Sequence, residues 1–298
     1  MFRAVAHNRV NRGRLMGLLL VGALLSGCCA RGNRGQLASL PRHKDLPSDT
    51  AELVEISDEL SNKRPRTLHS ASRSLAALEK ALTLGHPHTY ELLWRLSRAG
   101  VDLLELLDEK RARLELGRRA GRYARDAVRL EPGKVEGYYY LAQSSARLAE
   151  AMSKMKFIPY FKAKIEKAAA LNEAYDEAGP LRFLGKLYLQ APAWPVSVGS
   201  PEKAVQVLER AVELSPTPLN RLFLGEAYFH DEEYEDADET IRGALAQGRK
   251  RGLARHWLVE GERYLRQIRE EKASPPGSRL PGRSGALVAS VRSQEGAR

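Results

Sequence analysis

The sequence predicts an all-α solenoid of antiparallel helix pairs, with insertions and a C-terminal capping helix. Three observations carry that prediction. An apolar–small pair recurs at Leu96-Ser97, Leu141-Ala142, Leu184-Gly185 and Leu224-Gly225, with a small or aromatic residue three positions on at Gly100, Ser145, Tyr188 and Tyr228. Downstream of these pairs, small or apolar residues recur at i, i+4 and i+7: Ala120, Ala124, Ala127; Ala204, Leu208, Ala211; Ala237, Ile241, Ala244. Two of these runs end at Leu130-Glu131-Pro132 and Leu214-Ser215-Pro216, where proline cannot continue the hydrogen-bond ladder. Small residues at such positions let paired helices cross closely while Leu and Tyr fill the layer between neighbouring pairs.

The elements follow in order. Residues 1–14 carry four arginines and no acid, and Leu15 to Leu25 form a short apolar run. A helix of that length spans about 16 Å, half a bilayer core, so a permanent membrane span is not expected there. Leu25-Ser26-Gly27-Cys28 then follows. Small residues at 26 and 27 let a peptidase reach the backbone, and Leu25 fits an apolar subsite. This block resembles the bacterial lipobox. The resemblance implies diacylation of the Cys28 thiol, cleavage after Gly27 and acylation of the new amine, which together suffice for stable attachment to a membrane. By the same analogy Cys29, standing where an Asp would retain the chain, points to the outer membrane. Residues 1–27 are therefore expected as a signal peptide, and residues 28–50, rich in Arg, Gly, Ser and Pro, as a solvated tether.

Residues 51–271 are expected to hold the repeats. Residues 67–84 look like an unpaired helix of the second type, and residues 253–269 like an amphipathic cap facing the array through Trp257, Leu258, Tyr264, Leu265 and Ile268. Two inserts interrupt the pattern, at 152–161 and 190–201. Residues 272–298, with Pro275-Pro276-Gly277 and scattered Arg and Ser, are expected as a disordered basic tail.

Charge excludes one class of partner. The chain carries a formal +11, but the two ends and the tether account for nearly all of it and residues 51–271 for only about +1. Nucleic-acid binding needs positive charge on the folded surface and is not expected. The two cysteines are adjacent, Cys28 and Cys29, so the array cannot rest on disulfides or thiolate metal sites. The seven histidines are scattered except His86-Pro87-His88, and no phosphate loop, nucleophile elbow or calcium loop is present. No catalytic residue, metal or cofactor is expected.

Candidate binding residues remain. Trp194 lies between Pro192 and Pro195, either facing a ligand from a stiff loop or plugging the end of the helical layer. Ser200 or Gly199 is expected to cap the next helix, with Pro201 at its first position. Tyr138, Tyr139 and Tyr140 point to different faces of one helix, and Tyr138, Tyr188 and Tyr228 are candidate groove residues. Phe157, within an apolar stretch from Met152 to Phe161, is a candidate partner surface or packs beneath the next repeat.

The helix-pair pattern is similar to the tetratricopeptide repeat, although its pair spacing of 45, 43 and 40 residues exceeds the usual repeat of about 34. Gly179-Pro180-Leu181-Arg182-Phe183-Leu184-Gly185, Leu187-Tyr188-Leu189, the Ala191-Pro192-Ala193-Trp194-Pro195 loop and Pro218-Leu219-Asn220 together resemble the TatT family of periplasmic tetratricopeptide lipoproteins associated with tripartite ATP-independent (TRAP) transporters. That resemblance covers about residues 70–250. It implies a homo-oligomeric protein without enzymatic activity that docks an extracytoplasmic solute-binding protein and passes organic-acid or apolar ligands. A general scaffold for envelope or secretion-complex assembly is the alternative the same grooves would serve.

Overall fold

A computed structural model describes residues 36–40, 43–63, 66–87, 89–152, 158–193 and 195–273. Among these residues it contains eleven α-helices and no strand. They run as α1 (Thr50–Asn62), α2 (Leu68–Thr83), α3 (Tyr90–Leu104), α4 (Lys110–Leu130), α5 (Val135–Met152), α6 (Ile158–Leu171), α7 (Tyr175–Gln190), α8 (Pro201–Leu214), α9 (Pro218–His230), α10 (Tyr234–Arg251) and α11 (Arg255–Ala273). Consecutive helices pack as five pairs from α1–α2 to α9–α10, and α11 covers the last pair. This is the predicted solenoid with its cap.

The spaced trios form the buried seams. Ala120, Ala124, Ala127, Ala204, Leu208, Ala211, Ala237, Ile241 and Ala244 are all at most 1% exposed. Across each seam the first helix presents its small residue: a methyl on Gly185 would collide with Leu208, and one on Gly225 with Ile241. Helix starts are written locally. The side chains of Thr89, Ser200 and Thr217 each accept a backbone N–H from the first turn, and Pro201 and Pro218 follow two of them, where proline's missing donor is not needed.

Two expectations are corrected. The helix at 67–84 is not unpaired: α2 packs on α1 through Ser74, whose hydroxyl lies 2.9 Å from that of Ser57 and 3.2 Å from that of Ser61. A seam lined by hydroxyls carries no apolar spacing, so the repeat pattern does not mark α1. The stretch 152–161 is not wholly an insert, because α6 begins at Ile158 and Phe161, Ile165 and Ala168 (6%, 0% and 0% exposed) form a fourth buried trio. The bulky Phe161 in a position held elsewhere by Ala or Ser masked the repeat.

The stretch expected as a tether also carries contacts. The Gln36 side chain accepts the backbone N–H groups of Asp108 (3.0 Å) and Glu109 (2.8 Å) at the start of α4. Leu46 is buried, its carbonyl accepts from Lys80 Nζ at 2.6 Å, and Asp45 pairs with Arg73 at 2.6 Å. The Gln36 backbone N–H in turn donates to the Glu109 carboxylate, so this residue is tied to the start of α4 from both its side chain and its main chain.

Candidate functional site

The first helices of the pairs share a face that the repeat fixes in register. Residues two before and two after each pair leucine are Trp94 and Arg98, Tyr139 and Gln143, Arg182 and Lys186, and Leu222 and Glu226. Each lies about 200° round the helix from its pair leucine, on the opposite face. The row is charged and aromatic, yet Trp94, Tyr139, Gln143, Arg182, Leu222 and Glu226 are all under 10% exposed. Buried polar groups of this kind need partners, and several find them on a neighbouring pair.

On α3, Arg95 Nε donates to both oxygens of Asp58 at 3.0 Å and Arg98 Nη2 reaches Asp58 at 2.5 Å. Both guanidiniums lie over the Trp94 ring, 4.3 and 5.0 Å from its centroid, and Trp94 stacks on Tyr140 at 6.0 Å. Tyr139 donates its hydroxyl to Asp176 at 2.5 Å. Asp176, Glu177 and Ala178 hold positive φ of 49°, 57° and 60°, a left-handed turn costing about 1–2 kcal/mol for each such residue. Arg182 and Asn220 hold it in place. Arg182 donates to the carbonyls of Glu177 and Asp176 at 3.0 and 3.2 Å and to Asn220 Oδ1 at 3.0 Å. Asn220 Nδ2 donates to the carbonyls of Glu177 (2.9 Å) and Ser215 (2.8 Å). Gly179 is required beside this turn, because a Cβ there would sit 2.8 Å from Tyr139 Cζ. Further along, Lys186 Nζ bonds both Glu226 oxygens at 2.8 and 2.6 Å and lies 4.5 Å from the Phe223 ring centroid.

Burial sets the titration of this face. It pushes the hydroxyls of Tyr139, Tyr140 and Tyr264 well above the ordinary tyrosine range, so they stay neutral. Burial holds His230 below its usual value, helped by Lys186 and Arg263 and opposed by Glu226. Chemically the row is a set of clamps between successive pairs, with Arg98 Nε a buried donor left without an acceptor. Among the described residues no group of three His, Cys, Asp or Glu is placed to hold a metal ion.

A second feature stands between α7 and α8. The 191–200 loop closes on itself: Gly199 N donates to Pro192 O at 2.9 Å, Ser200 N to Tyr188 O at 3.0 Å, and Val196 N to Ala193 O at 3.1 Å. A Cβ on Gly199 would meet the Pro192 carbonyl oxygen at 2.8 Å, so only glycine allows this closure. Ala193, Pro195 and Val196 stand exposed, Val196 at 72%.

The predicted residues fall in several places. Gly27, Cys28, Phe157 and Trp194 lie outside the described residues. Tyr138 packs at the α5–α6 contact, where Lys164 Nζ lies 5.8 Å from its ring. Tyr228 donates to Glu209 of α8 at 2.9 Å, and Tyr188 packs against the clusters on both sides of α7. Tyr188 and Tyr228 come together in one cluster, away from the polar row, because four residues after a pair leucine is only about 40° from it on a helix. The row itself was readable at the −2 and +2 positions of each pair.

With its paired helices, buried trios and cap, the described array is a tetratricopeptide-type repeat fold. The chain is similar to TTC0263, a thermophilic TPR protein of Thermus thermophilus, at 21% identity and a TM-score of 0.55, covering 73% of this chain and 99% of that one. It also aligns with MamA (20% identity, TM-score 0.42, 69% of this chain and 95% of that one). YrrB, described as a TPR protein with an unusual peptide-binding site, aligns at 16% identity and a TM-score of 0.41 over 72% of this chain and 93% of that one. Residues 53–187, just under half of the chain, match the model of the family described as Regulator of microtubule dynamics protein 1-3. The chain has no match among curated proteins.

Proposed function

We propose that this chain is a lipid-anchored, periplasm-facing docking protein without enzymatic activity, which holds a protein partner against its helical array through the 191–200 loop. The observation that carries this reading is the loop itself. It is stiffened by its own hydrogen bonds, set on a rigid helix pair, and presents Pro195 and Val196 to solvent, the arrangement in which a scaffold loop serves recognition. The lipobox resemblance at Cys28 supports attachment to the envelope, and the likeness of the Ala-Pro-Ala-Trp-Pro stretch to the TatT family supports a TRAP-type solute-binding protein as the partner. The filled polar row supports the alternative of an assembly scaffold, since clamped side chains occupy the face through which a small ligand would have to pass.

Affinity capture of the lipidated chain from envelopes, compared with Val196→Asp, tests the reading. A solute-binding protein should co-purify with the native chain and be lost with the variant, while the melting temperature stays unchanged. Recovery of assembly components without any solute-binding protein moves the reading to the scaffold. Equal recovery with the variant removes the loop from the interface. Cys28→Ala should abolish acyl labelling, and normal labelling in that variant would exclude Cys28 as the anchor.

A further inference from the structure

The near-neutral charge of residues 51–271 conceals one concentrated helix. Over α4, Lys110 to Leu130, stand Lys110, Arg111, Arg113, Arg118, Arg119, Arg122, Arg125 and Arg129 against Glu115 and Asp126. At 100° per residue, Arg111, Arg118, Arg122 and Arg125 fall within a stripe about 60° wide, and the stripe runs about 21 Å along the axis. All four are exposed and have no ion-pair partner among the described residues, whereas Arg119 pairs with Glu79 at 3.0 Å and Arg129 with Asp126 at 3.0 Å. Arg111, Arg118, Arg119 and Arg122, with Leu114 and Glu115, line a surface cavity of about 380 Å³. Glu115 is the single acid lining that cavity. Four unpaired guanidiniums in a row match a surface of anionic, bidentate acceptors better than any one counter-ion.

The chain's own connectivity says which surface that is. The N-terminal segment enters the fold at Gln36, which is hydrogen-bonded to the backbone of Asp108 and Glu109 beside the first turn of α4. Eight residue steps separate Gln36 from Cys28, a reach of at most about 29 Å for an extended chain. A lipid on Cys28 therefore keeps the start of α4 within that distance of the bilayer surface. We infer that the α4 arginine stripe is a membrane-docking face that takes the phosphate headgroups of anionic lipids in the bilayer holding the anchor, and so lays the array against the membrane. This rests on the reading of Cys28 as lipidated.

The test uses the full acylated chain reconstituted in vesicles of phosphatidylcholine alone or mixed with phosphatidylglycerol. Flotation reports the anchor, and phenylglyoxal modification read by mass spectrometry reports the arginines. Flotation should occur with both vesicles. Modification at Arg111, Arg118, Arg122 and Arg125 should slow about fivefold on the anionic vesicles, the factor expected for a basic residue near such a surface. The effect should vanish at high salt, while Arg242 on α10, paired with Asp238, keeps its rate. In Arg118→Gln/Arg122→Gln the protection of Arg111 should be lost and flotation retained. Equal rates on the two vesicles with intact flotation overturn the docking face and leave the anchor standing. Failure to float with phosphatidylcholine overturns the anchor. Protection by soluble polyglutamate but not by anionic vesicles assigns the stripe to an acidic protein and overturns the membrane assignment.

Discussion

Gly185 and Leu208 make a testable pair at the α7–α8 seam. A methyl on Gly185 would lie 2.8 Å from both Leu208 δ carbons, well inside the 3.5–4.0 Å of a favourable carbon contact. Leu208 is 0% exposed and cannot swing away into solvent. Overpacking of this kind costs about 1–3 kcal/mol, offset by the roughly 1 kcal/mol gained when alanine replaces glycine inside a helix. Gly185→Ala should therefore destabilise by about 0–2 kcal/mol. Leu208→Ala alone should cost about 2–5 kcal/mol, since it opens a cavity at a fully buried site. In the double variant the new methyl enters the vacated space, so the clash disappears and the helix gain remains. The double variant should then be more stable than the sum of the single effects by about 1–3 kcal/mol. Urea unfolding followed by circular dichroism, analysed with a linked-repeat model, measures the cycle. Gly243→Ala serves as a control, because a methyl there meets nothing within 4 Å and should stabilise by about 0.5–1 kcal/mol. Additivity within about 0.5 kcal/mol would refute the close crossing at Gly185, and with it the reason the repeat requires a small residue at this position.

Three other outcomes follow from the polar row. Lys186→Met should cost about 3–5 kcal/mol by leaving the buried Glu226 carboxylate (7% exposed) without its partner, and Lys186→Met/Glu226→Met should recover most of that loss in the same urea assay. Asn220→Ala should cost about 2–3 kcal/mol, because the carbonyls of Glu177 and Ser215 each lose a buried donor; hydrogen exchange should show the left-handed turn at 176–178 opening first. Burial lowers the folded pKa of His230, so below its unfolded value of about 6.5 the unfolded chain binds more protons than the folded one. Its contribution is complete above that pH and is lost as pH falls through 6.5 toward the lowered folded value. His230→Gln should flatten the decline, and since His43 shifts in the same direction, the readout is the difference in unfolding midpoint between variant and native chain across that window.

The paired architecture was legible because it depends on local chemistry. Leu184-Gly185 against Ala204, Leu208 and Ala211 repeats at helical spacing, and Pro201 and Pro216 mark where α8 starts and stops. A seam that needs small residues announces itself wherever they are alanine or glycine. It was hidden where serine did the same work, at Ser57, Ser61 and Ser74, and where Phe161 took an alanine's place. The candidate site was far less legible. Tyr188 and Tyr228 are aromatic residues in a small-residue pattern, yet their angle to the pair leucine leaves them half-buried against the helix-pair clusters.

The sequence by itself determined the helical class, the order and pairing of most helices, the cap over the last pair and the resemblance to a lipobox at Cys28, since spacing, capping and cleavage chemistry are properties of neighbouring residues. Only the tertiary structure decided that Arg182, Asn220, Asp176 and Tyr139 share one knot, that Lys186 meets Glu226, and that Gln36 ends on α4 beside the arginine stripe. Those contacts join residues 37 to 73 positions apart, and which distant side chains meet is settled by how successive pairs pack, not by the period of any one helix.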